Sequence, residues 1–504
     1  MFKLLSLKNG EKDDIYVSSA NVEKNNNTEY SDENYYTLIT GENGCGKSSL
    51  LSKAANAYIF QSNNNFIHGR ETFDSQPAPS RVIAICNSSY NRFVSKKVYT
   101  NLTPIREPHY YLQNDVESDS TKSLQSIIIP AIKEVLANYQ FENSTSDNFN
   151  IKKTERFTFR NRSQIEDITS AFHMIGIEPS LSMDLEYNKG FIQFFLKTQG
   201  TGVHHDIKSG NDIKLGTMEK AYYKEHIDFL RSVHIEDGFI DYFLHIFLGA
   251  RSIKQPTKLN LRVDSHDFEF SSAEMPLDII LPAILCGFII PKKIQVQRMG
   301  SLKWVSIQSL SSGQQSLLIS ALLISTFAIP NSLICIDEPE NSLHPEWQLD
   351  YMNFIAKLCP HNLGCHFLIA THSPQIISGM KSTNGCIVSL NSGQKKNNSF
   401  ESLQPIEYEN FISNNQELHE LSSHIRKSAD RQLIDIFKSP GFHNETIIHR
   451  LVLILTKLTK KIALNSDDSR FINEISSFIK HGKIDEYDAA NIILEQIKAM
   501  LKPR

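Results

Sequence analysis

The sequence predicts an α/β fold, and three apolar segments that each end in polar residues lead to this prediction. The first, residues 35–40, runs into a glycine-rich loop that is followed by a helix-like stretch. The second, residues 333–336, ends in two adjacent carboxylates, and the third, residues 365–370, ends in Thr-His-Ser-Pro. Short apolar runs bounded by turn residues are typical of buried strands. Parallel sheets of such strands bind ligands at the edge where the strands end.

The glycine-rich loop is Gly41-Glu42-Asn43-Gly44-Cys45-Gly46-Lys47-Ser48, which matches the phosphate-binding pattern G-x-x-x-x-G-K-[ST] at every fixed position. Glycines let the backbone amides curl around phosphates, and the amino end of the following helix adds positive partial charge. In such a loop Lys47 reaches the β- and γ-phosphates, and Ser48 ligates magnesium. The residues predicted to bind a nucleoside triphosphate are Gly41, Asn43, Gly44, Cys45, Gly46, Lys47, Ser48 and Ser49.

The two carboxylates that end the second segment supply the other half of a hydrolysis site. Asp337 is placed to hold magnesium through its water shell. Glu338, one residue further on, can orient or deprotonate the water that attacks the γ-phosphorus. We therefore predict Ser48 and Asp337 as metal ligands and Glu338 as a catalytic residue.

A third motif, Leu310-Ser311-Ser312-Gly313-Gln314-Gln315, lies directly before the apolar, helix-like run 316–327. It resembles the signature sequence of ABC-type ATPases, LSGGQ, with Ser312 in place of the first glycine. In that family the signature contacts the γ-phosphate of the nucleotide held by the other subunit, from a helix amino end. The resemblance therefore implies ATP as the nucleotide, contacts from Ser311 to Gln314, and a head-to-tail homodimer or higher homo-oligomer.

Two further segments match this family. Glu340-Asn341-Ser342-Leu343-His344-Pro345 resembles its dimer-contact loop, and Thr371-His372-Ser373-Pro374 resembles the segment that carries its switch histidine. The resemblance implies that His372 contacts the γ-phosphate as a second catalytic residue. The family's Q-loop glutamine, which senses the γ-phosphate, has two competing positions here, Gln113 and the segment from Asn87 to Phe93.

These motifs are similar to the RecF, SMC and OLD-type branch rather than to transporter ATPases. An OLD-type nuclease would carry a metal-binding Toprim domain, but the acidic groups Asp467-Asp468 and Asp485-Glu486-Tyr487-Asp488 follow no apolar strand. They are predicted to be solvated helix caps and faces. A DNA repair or chromosome-maintenance ATPase that acts directly on DNA is the alternative, with the cation- and aromatic-rich segment 152–162 as its candidate surface.

The chain most resembles the PtuA-type ATPases of Septu anti-phage defence systems, which also occur beside some retrons. The shared features are the head motifs, a moderate mixed insertion and a helical tail in place of a nuclease domain. The resemblance implies control of a separate, PtuB-like HNH nuclease subunit, and leaves open a retron reverse transcriptase with its RNA and DNA as a further partner. His204-His205-Asp206 is predicted to be a solvent-exposed loop rather than an HNH-like cluster. The apolar helical stretches 447–455 and 489–501 are either the partner surface or a helical core.

A chain of 504 residues has room for two or three compact units. The predicted division is an ATPase head in two lobes, 1–113 and 292–394, a mixed α+β insertion at 114–291, and a helical C-terminal region at 395–504. A formal net charge of -4 shows no global basic excess, so any nucleic-acid contact would be a local patch.

The seven cysteines form no C-x-x-C pair, which indicates reduced and mostly buried thiols in a cytoplasmic protein. The amino terminus turns polar too early for a signal peptide, and residues 281–290 are too few to cross a bilayer, so no membrane partner is predicted. Cys45 lies beside Lys47 at a helix amino end, where a thiol is expected to ionise more readily than usual. This raises a redox hypothesis, with a small tolerated residue as the simpler interpretation.

Overall fold

The structure is a computed structural model, and it describes residues 2–4, 6–9, 12–16, 33–59, 79–87, 93, 111–115, 154–157, 169, 171–188, 192, 258–263, 268–272, 277–285, 287–359, 363–390, 416–425, 427–485 and 487–501. The chain divides into two compact units. Unit 1 comprises Met1–Tyr111, Ile329–Phe354 and His361–Arg504, and unit 2 comprises Leu112–Ala328 and Ile355–Pro360.

The strands that the structure describes are, in chain order, β1 (Ser6–Asn9), β2 (Lys12–Ile15), β3 (Tyr35–Gly41), β4 (Val82–Cys86), β5 (Tyr111–Asp115), β6 (Thr154–Phe157), β7 (Ile177–Tyr187), β8 (Lys258–Val263), β9 (Phe268–Ser272), β10 (Ile289–Arg298), β11 (Trp304–Ser306), β12 (Leu333–Asp337), β13 (His366–Ala370), β14 (Gly385–Leu390) and β15 (Gln416–Glu420). The α-helices are α1 (Lys47–Ile59), α2 (Leu277–Leu285), α3 (Ser312–Phe327), α4 (Pro345–Leu358), α5 (Pro374–Ser378), α6 (Ala429–Asp435), α7 (Glu445–Thr459), α8 (Ser466–Lys480) and α9 (Ala489–Leu501). In the described part of the chain, short 3-10 helices span Ile307–Ser309 and Leu421–Ser423.

Unit 1 is built on a sheet in which the strands are ordered β15-β14-β3-β13-β12-β4, and β5, which begins at the last residue of this unit, follows β4 at the edge. The strands from β14 to β4 pair in parallel, while β15 pairs antiparallel with β14. Every residue of β3, β4, β12 and β13 is buried. Burial on both faces explains their continuous apolar character, as in other covered parallel sheets. The predicted α/β class is confirmed.

The register of this sheet brings together the polar ends of the strands. Asp337 pairs with Cys86 of β4 and with Ala370 of β13, and Ala370 in turn pairs with Ile39 of β3. The phosphate loop follows β3, Glu338 follows β12, and the histidine segment follows β13. Because parallel strands end at the same edge, the three segments identified from the sequence converge there.

Helix α1 packs against β4, β12 and β13. Its Leu50, Leu51, Ala54 and Ala55 are buried in the core of the sheet. Spacings of three and four residues place these side chains on one helix face. The predicted order of strand, loop and helix is confirmed.

Unit 2 contains an antiparallel sheet of order β11-β10-β7-β8-β9-β6. Helix α3, which the apolar run after the signature motif predicted, lies in the same unit. Two sequence predictions fall largely outside the described residues. They concern the segment His204-His205-Asp206 and the cation- and aromatic-rich segment 152–162, of which only the backbone of β6 is described.

The C-terminal part of unit 1 is helical, as predicted, but it is preceded by a strand. Residues 416–420, Gln-Glu-Leu-His-Glu, form β15 at the edge of the sheet. Their polar composition does not predict a strand. The strand forms because it pairs with β14 at the edge of the sheet. Helices α6 to α9 then share an apolar core.

Within α7 the apolar stretch divides between core and surface. Ile447, Leu451 and Ile454 are buried, whereas Val452 and Leu453 are 43% and 50% exposed. One face of this stretch therefore forms a helical core, and the other presents apolar side chains to solvent.

Two acidic residues of this region cap helices as predicted, but they are buried rather than solvated. Asp468 forms a capping box with Asn465 at the start of α8 and pairs with Lys457 at 2.7 Å. Asp488 accepts hydrogen bonds from the backbone N–H groups of Ala490 and His443. Their exposed fractions are 6% and 1%, because these donors replace water around the carboxylates.

The cysteines that the structure describes are free thiols, and all of them except Cys45 are buried. In the described part of the chain, no helix is both long enough and apolar enough to cross a membrane.

His366, on β13, is fully buried as a neutral imidazole. The backbone N–H of Leu4 donates to its Nδ1 at 3.0 Å, which makes Nδ1 an acceptor. Its Nε2 lies 2.9 Å from the Thr37 hydroxyl, and that hydroxyl donates to the Tyr16 carbonyl at 2.6 Å. A second ring proton would face the N–H of Leu4. Burial, with a smaller effect of Lys3, lowers the pKa of His366 to about 3.

We expect His366 to make folding sensitive to acid. The unfolded histidine binds a proton near pH 6.5 and the folded one only near pH 3, so the stability it contributes is complete above pH 6.5 and is lost as pH falls between these values. The free energy of unfolding of the wild type should therefore fall by about 1.4 kcal/mol per pH unit relative to His366→Gln. Urea unfolding midpoints from pH 7.5 to 4.5 measure this difference, and parallel curves for the two proteins would contradict it.

Candidate nucleotide-binding site

The phosphate loop lies between β3 and α1, and all three of its glycines, including Gly46 with φ +100°, have positive φ angles. Gly41 has φ +146° and Gly44 has φ +78°. A Cβ atom at Gly41 would lie 2.4 Å from the Leu390 carbonyl oxygen and 2.7 Å from the Cys45 sulfur. A Cβ atom at Gly44 would meet none of the described residues within 4 Å. Crowding and backbone conformation therefore both demand glycine at position 41, while position 44 requires it for conformation alone.

Lys47 begins α1 and is only 4% exposed. Its Nζ atom donates to the carbonyl oxygens of Gly41 and Glu42, at 3.0 Å each. Burial lowers the pKa of Lys47, and the surrounding Cys45, Glu338 and Glu340 oppose this shift. The loop's own carbonyl groups thus hold the ammonium group inside the loop.

Cys45 lies in the same loop, and its sulfur is 3.7 Å from the Lys47 Nζ. The expectation that this thiol ionises readily is wrong, because burial raises the pKa of Cys45 by more than the hydrogen bonds and charge of Lys47 lower it. A thiolate moved out of water loses hydration that one neighbouring ammonium group does not replace. The redox hypothesis therefore has no support from the ionisation of this thiol.

A hydrogen bond joins the phosphate loop to the end of β12. The Ser48 hydroxyl donates to Asp337 Oδ1 at 3.1 Å. Asp337 is 1% exposed, and burial raises its pKa to about 7, although the bond from Ser48 opposes the shift. Magnesium prefers oxygen ligands and takes few from the protein when phosphates are present. The pair Ser48 and Asp337 fits such an ion.

Glu338 follows Asp337 with φ +49°, a left-handed conformation that costs a non-glycine residue about 1 kcal/mol. Its backbone N–H donates to the Ala370 carbonyl at 2.9 Å. The side chain of Asn341 donates to Glu338 Oε2 at 2.7 Å. Strained backbone of this kind clusters at functional sites. Here the bond to Ala370 holds the backbone of Glu338, and the bond from Asn341 holds its carboxylate.

Asn87, which follows β4, belongs to the same edge of the sheet. Its backbone N–H donates to the Asp337 carbonyl at 3.1 Å, and its own carbonyl accepts from Asn341 at 3.4 Å. The side chain is 9% exposed, and neither amide atom has a hydrogen-bond partner in the described part of the chain. From the sequence, Asn87 is only the first residue of one of the two candidate Q-loop positions. The other candidate, Gln113, lies on β5, whose side chains are outside the described part.

His372 follows β13 in the segment that the sequence singled out. Burial lowers the pKa of its imidazole, the charge of Lys47 lowers it further, and Glu338 opposes the shift. The ring is therefore neutral near pH 7. The charges of Lys47 and Glu338 both act on it, and the backbone N–H of His372 donates to Glu340, two residues after the predicted base.

The signature segment lies in unit 2, at the start of α3. Ser311 caps the helix, since its hydroxyl oxygen accepts from the backbone N–H of Gln314 at 3.2 Å. The Gln314 side chain accepts from the Ser311 N–H at 3.1 Å and donates to the Ile175 carbonyl at 2.9 Å. Ser312 is the first helical residue, and Gly313 is buried. The caps leave the Ser311 hydroxyl proton available for donation from a helix amino end.

A parallel sheet, a phosphate loop between a strand and a helix, and a carboxylate bonded to the loop serine define a P-loop ATPase fold of the α/β class. A family model described as "AAA domain, putative AbiEii toxin, Type IV TA system" matches residues 204–378, about a third of the chain. This stretch contains the signature segment, the paired carboxylates and His372, and it begins after the phosphate loop.

Among solved structures, the chain is similar to the Smc head domain with an extended coiled coil, bound to the C-terminal domain of ScpA, from Pyrococcus furiosus. The two share 11% identity over 71% of this chain and 87% of that chain, with a TM-score of 0.24. No curated protein matches the chain. The fold assignment rests on the sheet and the loop described above.

Two of the three loop glycines, Gly41 and Gly44, provide a matched pair of substitutions. Gly41→Ala should lower the free energy of unfolding by at least about 3 kcal/mol, because the new methyl group overlaps a backbone carbonyl in addition to the conformational strain. Gly44→Ala should cost only about 1 to 2 kcal/mol, since the space around it is open. Thermal and urea unfolding without nucleotide measure both, and equal losses would contradict the predicted crowding at position 41.

Proposed function

We propose that this chain is the ATP-binding and slowly hydrolysing subunit of a bacterial anti-phage defence complex, in which nucleotide-dependent pairing of ATPase heads controls a separate HNH-type nuclease. The observation that supports ATP chemistry most strongly is the bond between Ser48 and Asp337, with Lys47 buried in the loop and Glu338 following at once. The matched family, an AAA domain described as a putative AbiEii toxin of a Type IV TA system, favours a defence role.

In the proposed reaction, Lys47 and the loop amides bind the β- and γ-phosphates, and Ser48 and Asp337 hold magnesium, which neutralises phosphate charge. Glu338 orients a water molecule and accepts its proton as the water oxygen bonds to the γ-phosphorus. The bond from that phosphorus to the bridging oxygen breaks, and the products are ADP and inorganic phosphate. His372, neutral at pH 7, donates a hydrogen bond to the γ-phosphate.

The proposed active form is a head-to-tail homodimer, or a higher homo-oligomer built from such pairs. Ser311, Ser312, Gly313 and Gln314 of one copy would bind the γ-phosphate held by the other copy. The capping of α3 supports this part of the proposal, because a fixed helix amino end with a free hydroxyl proton suits a phosphate oxygen. The four-part division of the chain at residues 113, 291 and 394 belongs to the same proposal.

The proposed partner of the tail is the HNH nuclease subunit, and α7 carries the features that support it. Val452 and Leu453 are exposed apolar side chains on this helix. A cavity of about 810 Å³ lies beside it, lined by residues that include Leu453, Ile462, Arg450 and Lys460. Exposed apolar groups rimmed by polar ones mark protein-binding surfaces. The proposed complex can also include a retron reverse transcriptase and nucleic acid.

ATP should drive the pairing of heads. Glu338→Gln, alone and combined with either Lys47→Ala or Ser311→Asp, tests the roles of the base, the loop lysine and the signature serine. With Mg-ATP, Glu338→Gln should bind nucleotide, lose about 10²–10⁴-fold in turnover and accumulate as a dimer. Adding Lys47→Ala should remove nucleotide binding, and adding Ser311→Asp should remove the dimer alone, because aspartate still caps α3 but repels phosphate. Light scattering measures the dimer, and isothermal titration calorimetry measures nucleotide binding.

Lys381→Ala and Ser309→Asp are the matched controls for these variants, since both residues are exposed and lie outside the proposed site. A Lys47→Ala protein that binds ATP as well as wild type would contradict the proposed function.

The proposed defence role predicts an HNH nuclease subunit encoded beside this gene, and that subunit, purified with the chain, provides the test. If ATP restrains the nuclease, DNA cleavage should stay low with Glu338→Gln and ATP, and rise when nucleotide is removed. Leu453→Glu should release the subunit from the complex, whereas Leu302→Glu, an equally drastic change at an exposed apolar site between β10 and β11, should not. Cleavage that rises when ATP is added to Glu338→Gln would reverse the sign of the proposed coupling.

A further inference from the structure

Glu340 lies two residues after the predicted base and bonds to a different part of the site. Its Oε2 accepts from the Thr371 hydroxyl at 2.8 Å, and its Oε1 accepts from the backbone N–H of His372. Each carboxylate oxygen thus has its own donor, on two consecutive residues. Charge-assisted bonds of this kind are about twice as strong as neutral ones and specify geometry.

A second set of bonds joins the same two segments. The Ser373 hydroxyl donates to Gln348 Oε1 at 2.7 Å, and Gln348 Nε2 donates to the Leu343 carbonyl at 3.0 Å. The Ser373 N–H donates to the Thr371 hydroxyl oxygen at 3.0 Å. Thr371, His372 and Ser373, which follow β13, are therefore each bonded either to the turn after β12 or to α4.

We propose that Glu340 is a positioning residue for His372, which holds the backbone of the histidine so that its ring stays directed at the nucleotide site. This inference rests on the proposed function, because it assigns His372 a role in ATP hydrolysis. Thr371 is fully buried and His372 is bonded at its own N–H, so the carboxylate constrains the backbone from which the ring projects. The charges of Lys47 and Glu338 both act on this ring.

The substitution Glu340→Gln keeps the shape of the side chain and removes one acceptor. The amide NH₂ group must face either the His372 N–H, where two donors meet, or the Thr371 hydroxyl, which then loses the acceptor for its proton. We expect a loss of about tenfold in kcat, a KM within about threefold of wild type, and unchanged Mg-ATP affinity, because Lys47, Ser48 and Asp337 are untouched. Glu346→Gln makes the same chemical change on an exposed residue of α4 and should leave all three values unchanged.

A double-mutant cycle separates positioning from a general loss of stability. In a His372→Ala background, Glu340→Gln should have no further effect on kcat, since it acts through the missing ring. An equal loss of kcat in both backgrounds would overturn the proposal. Thr371→Val, which removes one of the two donors without changing the size of the side chain, should follow the same pattern with a smaller loss and serves if Glu340→Gln unfolds.

A spectroscopic measurement tests the proposal without ATP. With selectively labelled histidine, the ring resonance that disappears in His372→Ala should shift in Glu340→Gln and stay in place in Glu346→Gln. An unchanged resonance in Glu340→Gln would overturn the inference even if the protein hydrolyses ATP normally. A wild type that neither binds nor hydrolyses ATP, but shows the shift, would instead overturn the proposed function and leave the positioning of His372 intact.

Discussion

A hydrogen bond between Ser48 and Asp337 joins parts of the chain that are 289 residues apart, and the candidate site depends on the parallel sheet that makes this bond possible. Because β3, β13, β12 and β4 run in one direction and in register, the loop, the carboxylates and the histidine leave the sheet at one edge. The strands are buried on both faces, so a polar substitution within them would disturb the core and the site together.

The charges at this edge suit a metal ion and a polyanion that bind together. Burial raises the pKa of Asp337, and the neighbouring Glu338 and Glu340 raise it further. Lys47 opposes that shift but is itself destabilised by burial. A bound magnesium ion would relieve the repulsion among the carboxylates, and nucleotide phosphates would pair with the lysine. Each would lower the electrostatic cost of binding the other.

The turn after β12 carries both the predicted contacts between heads and hydrogen bonds to the predicted catalytic residues. The resemblance to ABC-type ATPases assigns the segment from Glu340 to Pro345 to contacts between heads. In the structure, Glu340 of this segment also bonds to the backbone of His372, and Asn341 bonds to Glu338. A contact made by a second copy on this turn would therefore act directly on both predicted catalytic residues, which links pairing of heads to hydrolysis in the proposed mechanism.

The sequence alone determined the class of fold, the positions of the phosphate loop and carboxylates, and the helix after the signature, because glycine spacing and apolar periodicity express local geometry. Only the tertiary structure decided how each of these side chains is buried and hydrogen-bonded. It showed that burial outweighs Lys47 at Cys45, that the buried amide of Asn87 has no partner among the described residues, and that Val452 and Leu453 face solvent. Solvation and pairing depend on residues hundreds of positions away, which local pattern does not encode.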